Sequence, residues 1–336
     1  MARGRAGNYG ALTPMPSIVV ILLSFVLALV PAMAAAQTYP ARTVRLVVAF
    51  AAGGTTDILA RVLAQKLTAA TAQQFIVDNR PGAGGTLGSD LVAKSPADGY
   101  TLNFGSTSSI AVAPSLYPNL PYDLLRDFTP VTELAVGPIV LAVHPSLPAR
   151  NVTELIALAK ARPGTLNFGS SGNGTSLHLA GEYLKFLAKI EMTHVPYKGI
   201  GQAVPDLVAG QLQLMFSDMA PFDPFVKAGK LRVIAVTTGK RSTLYPNLPA
   251  IAESGLPGFD LAGWYGVLAP TGTPKAAVDR LSEEFRTALN AADMKERYVT
   301  LGLEPVGSTP EQFGAFIRAE IAKWGDIIKR SGARLD

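Results

Sequence analysis

The stretch Leu46–Asp57, which reads L-V-V-A-F-A-A-G-G-T-T-D, decides the fold of this chain. Its apolar start, Leu46–Phe50, has the length and β-branched content of a buried strand. The strand ends before Gly53–Gly54, and Thr55–Asp57 then supply hydroxyls and a first-turn carboxylate that favour the start of a helix. The sequence therefore predicts a strand, a glycine loop and a helix in direct succession, an order typical of α/β proteins.

This glycine loop is a candidate binding site for a small anion. At a helix start, backbone N–H groups without intrahelical partners and the positive end of the helix dipole point outward. The two glycines leave room for a ligand to approach the backbone. An ordinary tight turn between a strand and a helix has the same sequence features, so the loop alone favours neither interpretation.

A repeated hexapeptide, T-L-N-F-G-S, predicts two further loops of this kind. It occurs at Thr101–Ser106 and again at Thr165–Ser170, each time as a short strand that opens into hydroxyl- and glycine-rich residues. No sustained period accompanies the match, so a solenoid is not indicated. All three loops follow predicted strands, and α/β proteins bind ligands outside the carboxyl ends of their strands. We therefore expect the three loops to share one polar cleft.

The first 36 residues have the pattern of a secretory signal peptide. Arg3 and Arg5 give a basic start, and Ile18–Val30 is a 13-residue run that is apolar except for one serine. Such a run is short for a membrane span. Small residues after it fit cleavage between Ala34 and Gln37. We therefore expect export to the periplasm, with an uncleaved membrane anchor as the alternative.

The composition excludes several classes of function. The formal net charge is +5, and removal of the two leader arginines lowers it to +3. Lysine and arginine form no run of five, so neither nucleic acid nor an anionic membrane surface is an expected partner. Cysteine is absent, which excludes disulfides, thiol catalysis and cysteine-ligated metals. About 300 mature residues suffice for two domains held by their own cores.

Strand-like and helix-like segments alternate through most of the mature chain, which predicts an α/β fold. The predicted strands are Leu46–Phe50, Phe75–Asp78, Thr101–Phe104, Ile139–His144, Leu166–Phe168, Leu212–Phe216, Leu231–Thr237 and Trp264–Ala269. The predicted helices are Thr56–Ala70, Leu87–Ala93, Val152–Ala161, Ser176–Leu187, Gln202–Ala209, Phe222–Ala228, Lys275–Ala291 and Pro310–Arg330. Because no low-complexity linker divides the chain, we expect the strands at Ile139–His144 and Trp264–Ala269 to cross between two lobes.

Several motifs together resemble the Bug family, the extracytoplasmic solute receptors of tripartite tricarboxylate transporters. They cover the mature chain in order: V-V-A-F-A-A-G-G-T-T-D at Val47–Asp57, V-D-N-R-P-G-A-G-G at Val77–Gly85, A-D-G-Y-T-L at Ala97–Leu102, L-N-F-G-S-S-G-N-G-T-S-L-H-L-A-G-E at Leu166–Glu182, H-V-P-Y-K-G at His194–Gly199, A-G-K-L-R-V-I-A-V-T-T at Ala228–Thr238 and G-W-Y-G-V-L-A-P-T-G-T-P at Gly263–Pro274. One departure is Ala49, where members commonly carry proline.

The resemblance implies a type II-like, two-lobe periplasmic binding protein, in which each lobe is a mixed sheet flanked by helices. Lobe 1 would comprise residues 37–138 and 268–336, and lobe 2 residues 139–267. Such a receptor closes its interlobe cleft on a small carboxylate, which is a dicarboxylate, a tricarboxylate, an acidic amino acid or an aromatic acid. It delivers this ligand, as a monomer without a cofactor, to integral membrane transporter subunits. A sensor for a signalling partner is the alternative.

Residues matching the family's cleft segments are the candidate ligand-binding residues. They are Phe50, Ala52, Gly53, Gly54, Thr55, Asp57, Ser106, Thr107, Ser170, Ser171, Asn173, Gly174, Thr175, Tyr197 and Asp218. The loops follow from the sequence pattern itself, whereas Tyr197 and Asp218 follow from the resemblance alone. Asp57 has two interpretations, because a first-turn acid favours the helix dipole and a cleft-facing one would receive an ammonium.

Enzymatic chemistry finds little support in the sequence. The pair His178 and Glu182 is too small a set for a metal site and fits helix packing or capping better. No G-x-S-x-G elbow, dinucleotide loop or Walker A motif occurs. A secreted α/β hydrolase remains a remote alternative. Trp264 and Tyr265 fit core or hinge packing better than a stacking platform. Arg80 and Lys198 are candidates for a carboxylate clamp, and the alternative for Arg80 is that it orders its own proline–glycine turn.

Overall fold

The computed structural model describes residues 39–335 together with Met1, Gly7 and Gly10. The predicted signal peptide therefore lies outside the described residues, apart from those three positions. Within the described part, no helix is long and apolar enough to cross a membrane.

Eleven strands alternate with helices in the described residues. The strands are β1 (Val44–Val48), β2 (Phe75–Asn79), β3 (Thr101–Ser106), β4 (Phe128–Pro138), β5 (Val140–Val143), β6 (Asn167–Ser170), β7 (Thr193–Pro196), β8 (Leu214–Ser217), β9 (Arg232–Val236), β10 (Ala262–Pro270) and β11 (Glu304–Pro305). All eight predicted strands are present, each within two residues at both ends. Sequence patterns missed β4, β7 and β11.

The α-helices confirm the predicted set and add short ones. They are α1 (Thr55–Thr71), α2 (Thr86–Ala93), α3 (Ala113–Leu116), α4 (Leu124–Asp127), α5 (Val152–Ala161), α6 (Ser176–Ala188), α7 (Ile200–Val208), α8 (Asp223–Lys227), α9 (Lys275–Asn290), α10 (Ala292–Thr300) and α11 (Pro310–Ser331). Thr309 caps α11, because its hydroxyl accepts a hydrogen bond from the Gln312 N–H.

The strands form two mixed sheets, which confirms the predicted two-lobe α/β fold. The first sheet has the order β11-β4-β10-β3-β1-β2, and the second has the order β7-β6-β8-β5-β9. In the first sheet β1 pairs in parallel with β2 and β3, while β10 is antiparallel to β3 and β4. In the second sheet β6 is parallel to β7 and β8, and β5 is antiparallel to β8 and β9.

The positions of the two crossing segments differ from the expected ones. β5 lies wholly in the second sheet, and the first passage falls between Pro138 and Val140, where β4 ends and β5 begins. β10 pairs with β4 along residues 262–270, so the predicted strand Trp264–Ala269 lies inside the first sheet. The lobe boundaries at residues 138/139 and 267/268 stay a prediction.

The parallel strands place the candidate loops at two sheet edges. β1 and β3 end side by side, since Val48 pairs with Phe104. In the second sheet Ser170, at the end of β6, pairs with Pro196, at the end of β7. The loops after β1 and β3, and those after β6, β7 and β8, therefore each emerge on one edge, as expected for the carboxyl ends of parallel strands.

Candidate functional site

The loops of the two sheets meet directly. The Ser176 N–H, at the start of α6, donates to Ser108 Oγ at 3.0 Å, and the two hydroxyl oxygens are also 3.0 Å apart. The Tyr117 hydroxyl donates to the Asn173 carbonyl at 3.0 Å. The Ala51 N–H lies 3.4 Å from the Lys198 carbonyl oxygen. Segments after β1 and β3 thus contact segments after β6 and β7 across a cleft.

A cavity lies between these segments. It is lined by Phe50, Gly54, Thr55, Thr56, Ser106, Thr107, Ser108, Ile139, Ser171, Ser176, Leu177, Ile200, Asp218, Gly263, Trp264 and Tyr265. Seven of these sixteen residues carry aliphatic hydroxyls, and the others are mostly apolar. None of them is lysine or arginine, so an anion in this cavity would meet no cationic side chain among the described lining residues.

Helix starts supply the positive potential that the lining side chains lack. Thr55 and Thr56 open α1, Ser176 and Leu177 open α6, and Ile200 opens α7. Gly54, the N-cap of α1, has an ordinary extended conformation and provides no side-chain capping hydrogen bond. The first N–H groups of α1 are therefore free to bind a ligand, and together with the helix dipoles they favour a carboxylate at this end of the cavity.

Asp218 is the acidic residue of the cavity wall. Its side chain is buried, and Oδ2 accepts a hydrogen bond of 2.5 Å from the Tyr265 hydroxyl. Burial raises the pKa of Asp218, and the hydrogen bond from Tyr265 opposes that shift only in part. The pKa of the Tyr265 hydroxyl is also raised, by burial and by the neighbouring Asp218. The sequence pattern gave no sign of this pair.

Trp264 forms another part of the wall and is fixed from two sides. Its backbone N–H donates to Thr107 Oγ1 at 2.9 Å. Its indole N–H donates to Glu320 Oε2 at 2.7 Å, and the same oxygen accepts from the indole of Trp324 at 3.1 Å. The ring also packs edge-on against Phe316. Trp264 therefore has both packing contacts, as expected from the sequence, and a face on the cavity.

Seven of the fifteen predicted ligand-binding residues line the cavity. These are Phe50, Gly54, Thr55, Ser106, Thr107, Ser171 and Asp218. Ala52 and Gly53 belong to the same loop as Gly54 but are not part of the lining. The sequence analysis did not select Ser108, Ser176, Ile200 or Gly263, although each lies within three residues of a selected position or quoted motif.

The Asp57 carboxylate forms its hydrogen bonds and ion pair with residues in and beside its own loop. Its carboxylate accepts from the Gly53 N–H at 3.0 Å and from Asn79 Nδ2 at 3.0 Å, and it forms an ion pair with Arg61. Burial opposes ionisation, but these hydrogen bonds outweigh it and lower the pKa of Asp57. The structure therefore favours the first-turn role of Asp57, which shapes the glycine loop, over the reception of a ligand ammonium.

The second-lobe loop uses several predicted ligand contacts to hold its own shape. The Thr175 hydroxyl caps α6 by accepting from the His178 N–H, and it donates to the Gly172 carbonyl at 2.9 Å. Ser170 Oγ accepts from the Gly172 N–H at 3.1 Å. Asn173 and Gly174 lie against the first lobe near Tyr117 rather than in the cavity. The Tyr197 hydroxyl donates a hydrogen bond to Asp206 Oδ2, 2.5 Å away.

Two histidines lie beside this loop, but the serine next to them is not accessible as a nucleophile. Ser170 Oγ lies 2.7 Å from His194 Nε2, and the His194 ring stacks on His178 with centroids 3.9 Å apart. Burial, with smaller contributions from His178 and Lys185, lowers the pKa of His194 to about 3. Ser170 has no exposed surface, so a substrate carbonyl has no access to it. Among the described residues no metal-binding group of three or more ligands occurs.

Fold and cavity together define a two-lobe α/β solute-binding protein with an interlobe site suited to a carboxylate. The sequence-family model described as "Tripartite tricarboxylate transporter family receptor" matches residues 59–333, and the chain belongs to that family. The protein BugT of Bordetella pertussis is 39% identical over 301 residues, which cover 89% of this chain and 92% of BugT.

Two solved structures are similar in both sequence and fold. R. palustris Rpa4515 with adipate is 40% identical, with a TM-score of 0.85 and coverage of 88% of this chain and 100% of that one. MatC (Rpa3494) from Rhodopseudomonas palustris with bound malate is 32% identical, with a TM-score of 0.82 and coverage of 86% and 100%. Both relatives bind a dicarboxylate, and the family resemblance found in the sequence is confirmed.

Proposed function

We propose that this protein is a periplasmic receptor that binds a small carboxylate between its lobes and delivers it to a tripartite tricarboxylate-type membrane transporter. The observation that carries the proposal is the cavity itself, where the starts of α1, α6 and α7 meet hydroxyl side chains from both lobes. Helix starts and hydroxyls are the groups that bind a carboxylate without a cationic side chain. The adipate and malate found in two relatives support the same class of ligand.

The carboxylate would bind at the start of α1, against the N–H groups of Thr55 and Thr56. Gly54 keeps this approach open. The nearest atoms to a Cβ added at this position, outside the adjacent residues, would be Ala51 O at 3.9 Å and Ile200 Cβ at 4.0 Å. Arg80 takes no part, because its guanidinium pairs with Asp78 and is half exposed. Calorimetry should therefore show weaker binding for Gly54→Val, whose branched side chain enters the cavity, and near-normal binding for Arg80→Ala.

Closure follows from the position of the ligand between the lobes. A ligand that contacts both lobes only when they are together binds that state more tightly and shifts the population towards it. The membrane partner would then recognise the loaded receptor by its shape. Lobe 1 would comprise residues 37–138 and 268–336, and lobe 2 residues 139–267, in a monomer whose residues 1–36 are removed on export. Small-angle scattering should show a smaller radius of gyration in the loaded protein.

A thermal-shift screen tests the proposed function. The mature protein is heated with adipate, malate, acidic amino acids and aromatic acids in separate wells. A ligand at a hundredfold excess over its dissociation constant stabilises the folded state by about 2.7 kcal/mol. Esters and amides of the same acids serve as controls, because they keep the size of the ligand and lack the charge. Stabilisation by the esters but by none of the acids would refute a carboxylate receptor.

A further inference from the structure

One oxygen of the Asp218 carboxyl group is buried without an ordinary hydrogen bond. Oδ2 accepts from Tyr265, but Oδ1 has less than 1 Å² of exposed surface and no partner of good geometry among the described residues. Thr55 Oγ1 lies next to Asp218 and partly opposes the rise in its pKa, but it is likewise buried and makes no hydrogen bond of good geometry among the described residues. Buried polar atoms are nearly always hydrogen-bonded. Two such atoms on one cavity wall mark the place of a polar ligand group.

The surroundings of Asp218 determine which form of its carboxyl group is stable. The titratable neighbours that act on it are Tyr265 on β10 and Tyr245, whose pKa is raised to about 12 by burial, by Asp218 and by Asp223. Both phenols are neutral, and no lysine or arginine lines the described cavity wall. A carboxylate buried without a cation is costly, so this environment favours the protonated form of the Asp218 carboxyl group.

The position of Thr55 identifies the ligand group that meets this carboxyl. Thr55 is the first residue of α1, where the free N–H groups and the helix dipole favour an anion. An ammonium would be repelled by the same dipole. A ligand group that reaches Thr55 Oγ1 and Asp218 Oδ1 is therefore expected to be a carboxylate. A neutral carboxyl group that donates to a carboxylate forms one of the stronger hydrogen bonds available in proteins.

We propose that Asp218 binds the ligand as a neutral acid, donating an Oδ1–H hydrogen bond to the ligand carboxylate, so that the protein and its ligand share one proton. This inference rests on the proposed function. No covalent bond changes, since the proton stays between the two oxygen atoms. Below the pKa of free Asp218 the proton is already on the carboxyl group before the ligand binds, and only above that pKa do the ligand and the proton bind together.

The pH dependence of binding follows with a definite sign. The ligand carboxylate favours protonated Asp218, so the pKa of Asp218 is higher in the complex than in the free protein. Above the pKa of the free protein, binding must take up a proton, and the dissociation constant rises by up to about tenfold per pH unit. A ligand ammonium facing an ionised Asp218 would give the opposite sign, with tighter binding as the pH rises.

The test compares the wild-type protein with Asp218→Asn and with Asp223→Asn as the matched control. Asparagine retains a neutral donor, Nδ2, in place of Oδ1–H, and its oxygen still accepts from Tyr265. Asp223 is a partly exposed residue outside the cavity that pairs with Lys227. Calorimetry with adipate and with malate, from about pH 5 to about pH 9, measures the dissociation constants. Infrared difference spectra of the ligand-free proteins report the C=O stretch of a protonated carboxyl group.

We expect the dissociation constants of wild type and Asp223→Asn to rise with pH. The dissociation constant of Asp218→Asn should not depend on pH, and at alkaline pH it should lie below that of wild type. We also expect the protonated-carboxyl band to be missing from Asp218→Asn alone. Tighter wild-type binding at high pH, a flat wild-type profile without a protonated-carboxyl band, or an unchanged band in the Asp218→Asn spectrum would overturn the inference. Binding of neither acid at any pH would count against the proposed function, while the infrared band would still decide the state of Asp218.

Discussion

Replacement of Gly201 by alanine should separate closure of the lobes from their folding. Gly201 lies in the first turn of α7, and an added Cβ would stand 2.4 Å from the Ala52 carbonyl oxygen and 3.2 Å from Gly53 Cα. Carbon atoms in contact normally keep about 3.5–4.0 Å. The obstacle is backbone of the opposite lobe, which cannot rotate out of the way as a side chain can. The two segments must therefore move apart by about 1 Å.

The expected magnitude follows from the cost of overpacking. Extra methyl groups at tightly packed positions cost about 1–3 kcal/mol, and here that cost applies to the closed state alone. If binding requires closure, affinity falls by about 5–150-fold. The isolated helix gains about 0.5–1 kcal/mol from alanine in place of glycine. The Gly201→Ala protein should thus bind more weakly while unfolding no more easily than wild type.

Calorimetry with adipate and malate, thermal unfolding and small-angle scattering measure the three quantities. Gly314→Ala is the matched control, because Gly314 is also helical and its Cβ would have ordinary contact with Pro130 Cγ at 3.5 Å. We expect the control to bind and close like wild type. If Gly201→Ala binds with unchanged affinity and reaches the same loaded radius of gyration, the contact between α7 and the glycine loop plays no part in closure.

Three further changes probe the cavity wall and its support. Gly263→Ala would place a Cβ 2.8 Å from Asp218 Oδ1, so calorimetry should show at least about tenfold weaker binding with little change in fold. Glu320→Gln removes the carboxylate that holds both indoles, and tryptophan emission should shift while affinity falls through a displaced Trp264. Burial and nearby Glu320 raise the pKa of Glu133 to about 7, so the folded state favours its neutral form and loses stability as the pH rises from about 4.5 to about 7. Glu133→Gln should therefore be more stable than wild type above that range, by up to about 3 kcal/mol in urea titrations, and nearly equal to it at pH 4.

Local sequence patterns predicted most of the fold because the same patterns determine where its strands and helices form. The apolar run at Leu46–Phe50 and the helical spacing after Thr56 specify a strand and a helix that form with few distant contacts. β4 was missed because Pro130, Glu133 and Gly137 interrupt its pattern, and its eleven residues are held by pairing with β10. A strand that depends on a distant partner leaves a weak local signal.

The candidate site was predictable only as far as the loops. The glycine loop and the Gly-Ser strand ends have the hydroxyls and helix starts that anion sites use, and these features are local. The contact between Asp218 and Tyr265 joins residues 47 positions apart, and the one between Trp264 and Glu320 joins residues 56 apart. Neither contact can be predicted from the spacing of the residues in the sequence. Asp57, which had two interpretations in the sequence, is assigned by Asn79 and Arg61, both brought to it by the fold.

The absence of lysine and arginine among the described cavity residues suits a receptor that must release what it binds. A bidentate arginine would add a strong, fixed interaction with a carboxylate. Helix starts and hydroxyls from both lobes act together only while the lobes are in contact, so most of their contribution disappears when the cleft opens. The segments after β1 and β3 remain on one lobe and those after β6, β7 and β8 on the other. Under the proposed function, opening the cleft would therefore divide the binding site itself, and affinity would depend on the same movement that the membrane partner controls.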